Sequence, residues 1–376
     1  MSGNTNYGSN SLQNNTTGYQ NSAFGVSSEQ ENTSGYWNTA VGAFSLTNNV
    51  SGISNSCLGT NSLFSNTSGD YNTAVGAGSL CYNTNGNNNV AIGSNALENS
   101  TTGSENVAIG VQALYNNTTA SANVALGYQC LYSNTTNNNN IAIGYQGLYS
   151  NTTGGNNIGL GTYTLQNNTS GTINTAIGSQ ALQSLTTGTS NVAIGYGSLN
   201  LLTGSSSYNT ALGTLDANQN LTNGTNCTFV GYNAINPTAS TTASNIIVLG
   251  NSYVSTLYCQ TTSITGLSDE RDKKDIKELL PLSGINFINE LKPVNFVWNM
   301  RDGGKIDIPE QGFIAQDLLQ AQKDCNINIP GLVVDENPEK LFASYGKLIP
   351  IMVQAIKDLQ YEINDLKKEI NCLKNQ

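Results

Sequence analysis

Between residues 4 and 250 the chain repeats one pattern of apolar and polar positions. Glycines stand at 8, 25, 42, 59, 76, 93, 110, 127, 144, 161, 178 and 195, each seventeen residues after the last. The steps then lengthen to 18, 18 and 19, reaching Gly213, Gly231 and Gly250. Four residues before each of the first twelve glycines is an Asn, from Asn4 and Asn21 to Asn174 and Asn191. One residue before is apolar or aromatic, as in Val41, Leu58, Ile92 and Ile109. Two before is nearly always small, as in Ala40, Ala74, Ala91 and Ala108. Four after is Leu in eleven of the twelve; Glu29 is the exception. Ten after, most repeats carry a second glycine that closes an Asn/Thr-rich turn.

A fixed period of this length marks a solenoid, in which each repeat is one coil stacked on the next. The run Asn-Val-Ala-Ile-Gly reads as a short strand with period-2 alternation. The large apolar residue and the Leu are expected to fill a thin core. The Ala row, on the opposite face of the strand, is expected to lie against another chain. A narrow coil buries little by itself, so an oligomer is expected. Stacked Asn side chains predict a hydrogen-bonded ladder along the turns. Fifteen coils at about 4.8 Å each give a rod of roughly 70 Å.

The pattern changes at Ser268, where the charged run Ser268-Asp269-Glu270-Arg271-Asp272-Lys273-Lys274-Asp275 begins. Leu291-Lys292-Pro293-Val294-Asn295-Phe296-Val297-Trp298 reads as a helix end leading into a strand. Gly312-Phe313-Ile314-Ala315-Gln316-Asp317 reads as a strand feeding a helix, and Leu332-Val333-Val334 as a further strand. Tyr345-Gly346-Lys347-Leu348-Ile349-Pro350 opens a long terminal helix. That helix carries heptads over 347–374: Ile349, Ile356, Ile363 and Ile370 at one core position, Met352, Leu359, Leu366 and Leu373 at the other. Such regularity predicts a coiled coil, and Ile at a with Leu at d by itself favours a parallel dimer. The domains expected are therefore a repeat solenoid over 1–250, a neck over 251–267 and a small α+β region over 268–376.

Composition and charge narrow the function. There is no His, which removes His-based triads and His metal ligands. All 14 Lys and Arg lie after residue 267, while Glu29, Glu31, Asp70, Glu98, Glu105 and Asp216 are the acidic residues before it. A segment without one cation cannot neutralise phosphates, so nucleic acid and anionic membrane surfaces are not partners of the repeats. No apolar run approaches a membrane span and no leader pattern is present, which predicts synthesis in a cytoplasm. The seven Cys show no Cys-x-x-Cys spacing and read as scattered thiols. No cofactor or metal is implied. The Asn-x-Ser/Thr triplets follow from composition.

Two resemblances add to this reading. The Asn-x-Ala-Ile-Gly coils over about residues 4–250 resemble the head repeats of trimeric autotransporter adhesins, a β-roll of three chains, although those repeats are shorter. The Ser268-Asp269-x-Arg271-x-Lys273 run, the Gly312–Gln316 segment and the Tyr345–Pro350 segment together resemble the peptidase S74 intramolecular chaperones of phage tailspikes and endosialidases. That resemblance implies a homotrimer, against the dimer preference of the heptads, and a domain that aligns a β-rich fibre and then cleaves itself off. It implies a catalytic dyad of Ser268 and Lys273, with Arg271 and Lys274 as supporting cations and Lys274 as the reserve base. Ser is a weak nucleophile until a base takes its proton, and Lys serves once its pKa is lowered. The scissile bond is expected at Leu267–Ser268, or at Ser268–Asp269.

The fold class expected is thus mainly β: a trimeric β-solenoid of 17-residue coils, then an α+β chaperone region with a coiled-coil helix. The function expected is a viral fibre or tail-fibre adhesin on the virion surface. Its partners are a host-cell receptor such as a glycan and virion or tail structural proteins. Tyr115, Tyr132 and Tyr149, spaced seventeen residues apart, are read first as cover for the outer strand, with stacking on sugars as the alternative. The alternatives are a non-binding spacer and a polysaccharide-degrading tailspike. For the latter, Glu98 and Glu105 are the one pair of carboxylates that neighbouring coils could bring together.

Overall fold

The computed structural model describes residues 3–216, 221–235, 241–254, 273–277, 279, 283–300, 306–335 and 341–374. The chain divides into a repeat unit, reaching to Asn251, and a C-terminal unit.

The repeat unit is a β-solenoid. Fifteen three-residue strands, from Thr5–Tyr7 and Ser22–Phe24 to Thr228–Val230 and Ile247–Leu249, form one parallel sheet in chain order. The register is strict: Ala74 pairs with Ala91, Ala91 with Ala108, and Val75 with Ile92. Strand steps of seventeen residues hold to Val192–Ile194, then widen through Thr210–Leu212 to the last strand. A second pair of strands, Asn223–Thr225 with Thr242–Ser244, accompanies these longer last coils.

The alternation within each strand is the reverse of the expectation. The Ala row faces inward: Ala40, Ala74, Ala91, Ala108 and Ala125 are fully buried and pack with Leu46, Leu80, Leu97 and Leu114 in one continuous core. The large residue before each glycine faces out, with Phe24, Leu58, Ile143 and Ile194 exposed. The reason is the narrow cross-section of a seventeen-residue coil. In these coils the Leu reaches across from the facing wall and leaves room for a small side chain only on the strand side, whereas the longer last coils admit the buried Phe229 in the same register. Cys57 and Gly159 replace Ala at this inward position, consistent with a small-residue limit.

Two Asn ladders run through the interior. In the expected one, the Asn123 backbone N–H donates to Asn106 Oδ1 at 3.1 Å, and Asn106 Nδ2 donates to the Ala120 carbonyl at 2.9 Å. The second, seven residues after nine of the twelve glycines, links Asn32 Nδ2 to Asn15 Oδ1 at 2.7 Å and Asn66 Nδ2 to Asn49 Oδ1 at 2.9 Å. Most of these amides are buried and need partners, and the neighbouring coil supplies them except at Asn83 Oδ1 and Asn168 Oδ1, where Ser100 and Leu185 interrupt the column. The outer turn adds a threonine row in which Thr101 Oγ1 donates to the Thr118 carbonyl at 3.1 Å and Thr118 Oγ1 to the Thr135 carbonyl at 3.0 Å.

In the C-terminal unit, helix α1 (Ser283–Glu290) leads into an antiparallel pair, Val294–Asn299 with Ile306–Gly312. Helix α2 (Ala315–Asp324) follows, then the short pair Val333–Val334 with Phe342–Ala343. A 3₁₀ turn at Tyr345–Leu348 enters the 26-residue helix α3 (Ile349–Lys374). Phe287, Ala321, Leu332, Leu348 and Ile351 form the core. Helix α1 lies on α3 at Gly284, where the Ala355 backbone leaves no space for a Cβ. Among the described residues, no helix is long and apolar enough to cross a membrane.

Candidate functional site

Of the residues singled out for chemistry, Leu267, Ser268, Asp269 and Arg271 lie outside the described residues. Lys273 and Lys274 are described; both are exposed, in the irregular segment that precedes α1. The other two motifs of the region meet. Tyr345 Oη donates to the Phe313 carbonyl at 3.0 Å and accepts from the Phe313 N–H at 3.1 Å. Gly312 permits this, because a Cβ there would fall 2.8 Å from the same hydroxyl. The Tyr345 ring also stands edge-on to Phe313, with centroids 5.5 Å apart. The Gly312–Gln316 segment is thereby fastened to the residue that opens the terminal helix. Pro293, Asn295 and Tyr345 border a shallow pocket of about 430 Å³ beside this contact.

Helix α3 uses two faces. Ile351, Ala355 and Asp358 are buried within the unit. The heptad residues are not: Ile349, Met352, Ile356, Leu359, Ile363, Leu366, Ile370 and Leu373 are all exposed along one seam. An apolar seam of that length is the surface a coiled coil buries.

Against known families, residues 268–327 match the peptidase S74 model, described as chaperone of endosialidase. The chain carries a C-terminal peptidase S74 domain. The match starts at Ser268, the residue at which the charge composition changes, and a β-solenoid precedes it. S74 domains are intramolecular chaperones typical of phage fibre and tailspike proteins, and the family implies autoproteolytic activity. The S74 match stops short of the Tyr345 turn and of α3, so the heptad seam lies beyond it. No curated protein and no solved structure matches the chain.

Within the repeats, Tyr115, Tyr132 and Tyr149 are half-buried rather than exposed. Their rings stack on each other at 5.1 Å with interplanar angles of 4° and 9°. Their faces stack on one another, which fits rings that cover the outer strand rather than the alternative of rings open to sugars. Glu98 and Glu105 occupy different columns of the repeat, five and twelve residues after Gly93. Glu98 is engaged by the Tyr115 side chain, and burial raises its pKa despite that hydrogen bond.

Three carboxyl groups sit in the wall or core of the solenoid. Glu29, in the position that eleven other coils give to Leu, is fully buried. Its Oε1 accepts from Asn38 Nδ2 at 2.9 Å, and its Oε2 has no hydrogen-bond partner. Burial pushes its pKa up to about 8, against the lowering effect of Asn38. Asp216 is pushed up to about 6 by burial, with the Ala234 N–H opposing. Of the thiols, Cys57, Cys81, Cys130 and Cys227 are buried and Cys372 is exposed. None of this was legible as chemistry beforehand; the single signal was the break in the Leu column at Glu29.

Proposed function

We propose that the protein is a fibre adhesin of a virion, assembled as a homotrimer by its S74 domain, which then cuts itself free. The carrying observation is an S74 domain directly behind a solenoid whose outward sheet face is apolar. That face runs from Phe24 and Leu58 through Ile143 and Ile177 to Leu249. A continuous apolar row on an exposed sheet face marks a surface that another chain covers. Further copies of the chain fit it, because identical coils present identical rows at the same rise. A slipped register would misalign every coil, so the chains must start together. The α3 seam at the far end of the sequence provides that start by raising the local concentration of partner chains.

Cleavage follows from the dyad. Lys273 Nζ takes the Ser268 hydroxyl proton, and Ser268 Oγ attacks the Leu267 carbonyl carbon. The Leu267–Ser268 amide breaks as its nitrogen takes a proton, leaving an ester between Leu267 and Ser268 Oγ. Water hydrolyses that ester to give a carboxylate at Leu267 and a free hydroxyl at Ser268. Cutting at Ser268–Asp269 is the alternative. Arg271 and Lys274 favour the neutral form of Lys273 by like-charge repulsion. Removing the helper makes the fibre kinetically stable, since unfolding cannot retrace assembly.

Native mass measurement tests the assembly. The full chain is expected as a trimer, and Ile143→Asp with Ile177→Asp, which places charge on the outward face, is expected to weaken or abolish it. A wild-type monomer would overturn the reading.

A further inference from the structure

The outward column twelve residues after each glycine is polar in most coils: Gln20, Ser54, Asn88, Asn139 and Asn156 occupy it. All share a left-handed backbone, with φ of 54°, 56°, 57°, 62° and 59°. Asn is suited to that conformation and a bulky ring is not. Trp37 nevertheless stands in the column at φ 61°, and Tyr71 at φ 55°. The left-handed turn recurs from coil to coil, and Ile173 (φ 58°) and Tyr208 (φ 61°) share it, so what marks Trp37 and Tyr71 is a pair of exposed rings two coils apart.

Trp37 is held and open at once. Its Nε1 donates to Gln20 Oε1 at 2.6 Å. Its ring stands edge-on to Tyr36, with centroids 5.0 Å apart, and to Tyr19, at 6.4 Å. Tyr19 and Tyr36 stack on each other at 4.7 Å. Yet Trp37 remains 54% exposed and Tyr71 56%. Because the indole N–H is already engaged, the ring offers its face. Between Trp37 and Tyr71 the column carries the small Ser54, so two exposed rings flank a notch about two strand spacings, roughly 10 Å, wide.

We propose that Trp37, braced by Tyr19 and Tyr36, and Tyr71 bind pyranose rings of a neutral glycan. The C–H face of a pyranose carries slight positive charge and fits the negative face of an aromatic ring. Gln20 on the coil before Trp37, Ser54 on the coil next after it and Asp70 beside Tyr71 add an amide, a hydroxyl and a carboxylate for sugar hydroxyls, although Gln20 Oε1 already accepts from Trp37 and Asp70 Oδ1 from the Ile53 N–H. With no Lys or Arg before residue 268, the surface offers no cation to a sialylated or sulfated glycan. This site rests on the adhesin part of the reading above and names its ligand class.

The test is binding of the full chain to immobilised neutral hexose and N-acetylhexosamine oligosaccharides, with sialylated and sulfated glycans alongside. Trp37→Asn is the main variant, since Asn holds this backbone at 88, 139 and 156 and the coil should fold. Wild type is expected to retain at least one neutral glycan, Trp37→Asn to weaken it tenfold or more, and Trp37→Phe to fall between. Retention unchanged in Trp37→Asn overturns this site and leaves the adhesin reading standing. No glycan retained by the wild type overturns both the site and a glycan receptor. Preference for the anionic glycans overturns the ligand class. A change in native mass in Trp37→Asn would assign the rings to chain–chain contact and overturn the proposal.

Discussion

Gly93 shows how little freedom one residue has in a coil of this size. Its φ is +129°, and a Cβ there would meet the Gly110 carbonyl oxygen at 2.6 Å. Gly204 also has positive φ, but open space surrounds it. Gly93→Ala should therefore cost clearly more than Gly204→Ala, for which about 1 kcal/mol of backbone strain is the expected loss. Equal losses in thermal melts would contradict the stacking account. Glu29 gives a pH dependence. Its pKa is 4.5 ordinarily and about 8 when folded. Below pH 4.5 it is neutral folded or unfolded, so its full contribution is present there. As pH rises to 8 the unfolded chain ionises and the folded chain does not, so stability is lost across that window. Glu29→Gln should match wild type at pH 4 and exceed it at pH 8 by on the order of a few kcal/mol. Hydrogen exchange of the first coils at both pH values checks this, and an identical difference at the two would refute it.

At the scale of elements, the coils derive their order from ladders as much as from the core. Asn106→Ala should strip the Asn123 backbone N–H of its buried acceptor and cost about 1–3 kcal/mol. Asn116, whose side chain bonds only at 3.5 Å, supplies a milder comparison. The sequence made the coils, their register and this ladder legible, because each is a periodic position with one chemical demand. It did not say which face of the strand is inside. Period-2 alternation separates Ala40 from Val41 but is symmetric to exchange of the two faces. The answer lies in the cross-section, where Leu46 already spans the interior. The second ladder was hidden because its Asn residues sit among other Asn, Thr and Ser of the turn. The C-terminal strands and helices followed their patterns, whereas the dyad was legible only through resemblance. In α3, Ile356→Asp with Ile363→Asp should prevent assembly, because both side chains are exposed within the unit and fit only another copy. Oligomers of unchanged native mass would show that the seam is not used.

For the whole molecule, two apolar surfaces and one domain family converge. The solenoid sheet has an outward apolar row, α3 has an outward apolar seam, and the S74 match lies between them in sequence. A rod with no cation before residue 268 is joined to a segment holding every Lys and Arg. The boundary between them is Ser268, the proposed nucleophile, so removal of the helper would leave the uncharged-to-acidic rod alone. The most direct test is the intact mass of the wild-type chain beside Ser268→Ala and Lys273→Ala. Two fragments, near residues 1–267 and 268–376, are expected from the wild type and one uncut chain from each variant. A single uncut chain in all three would contradict self-release and leave the S74 domain as a permanent part of the fibre.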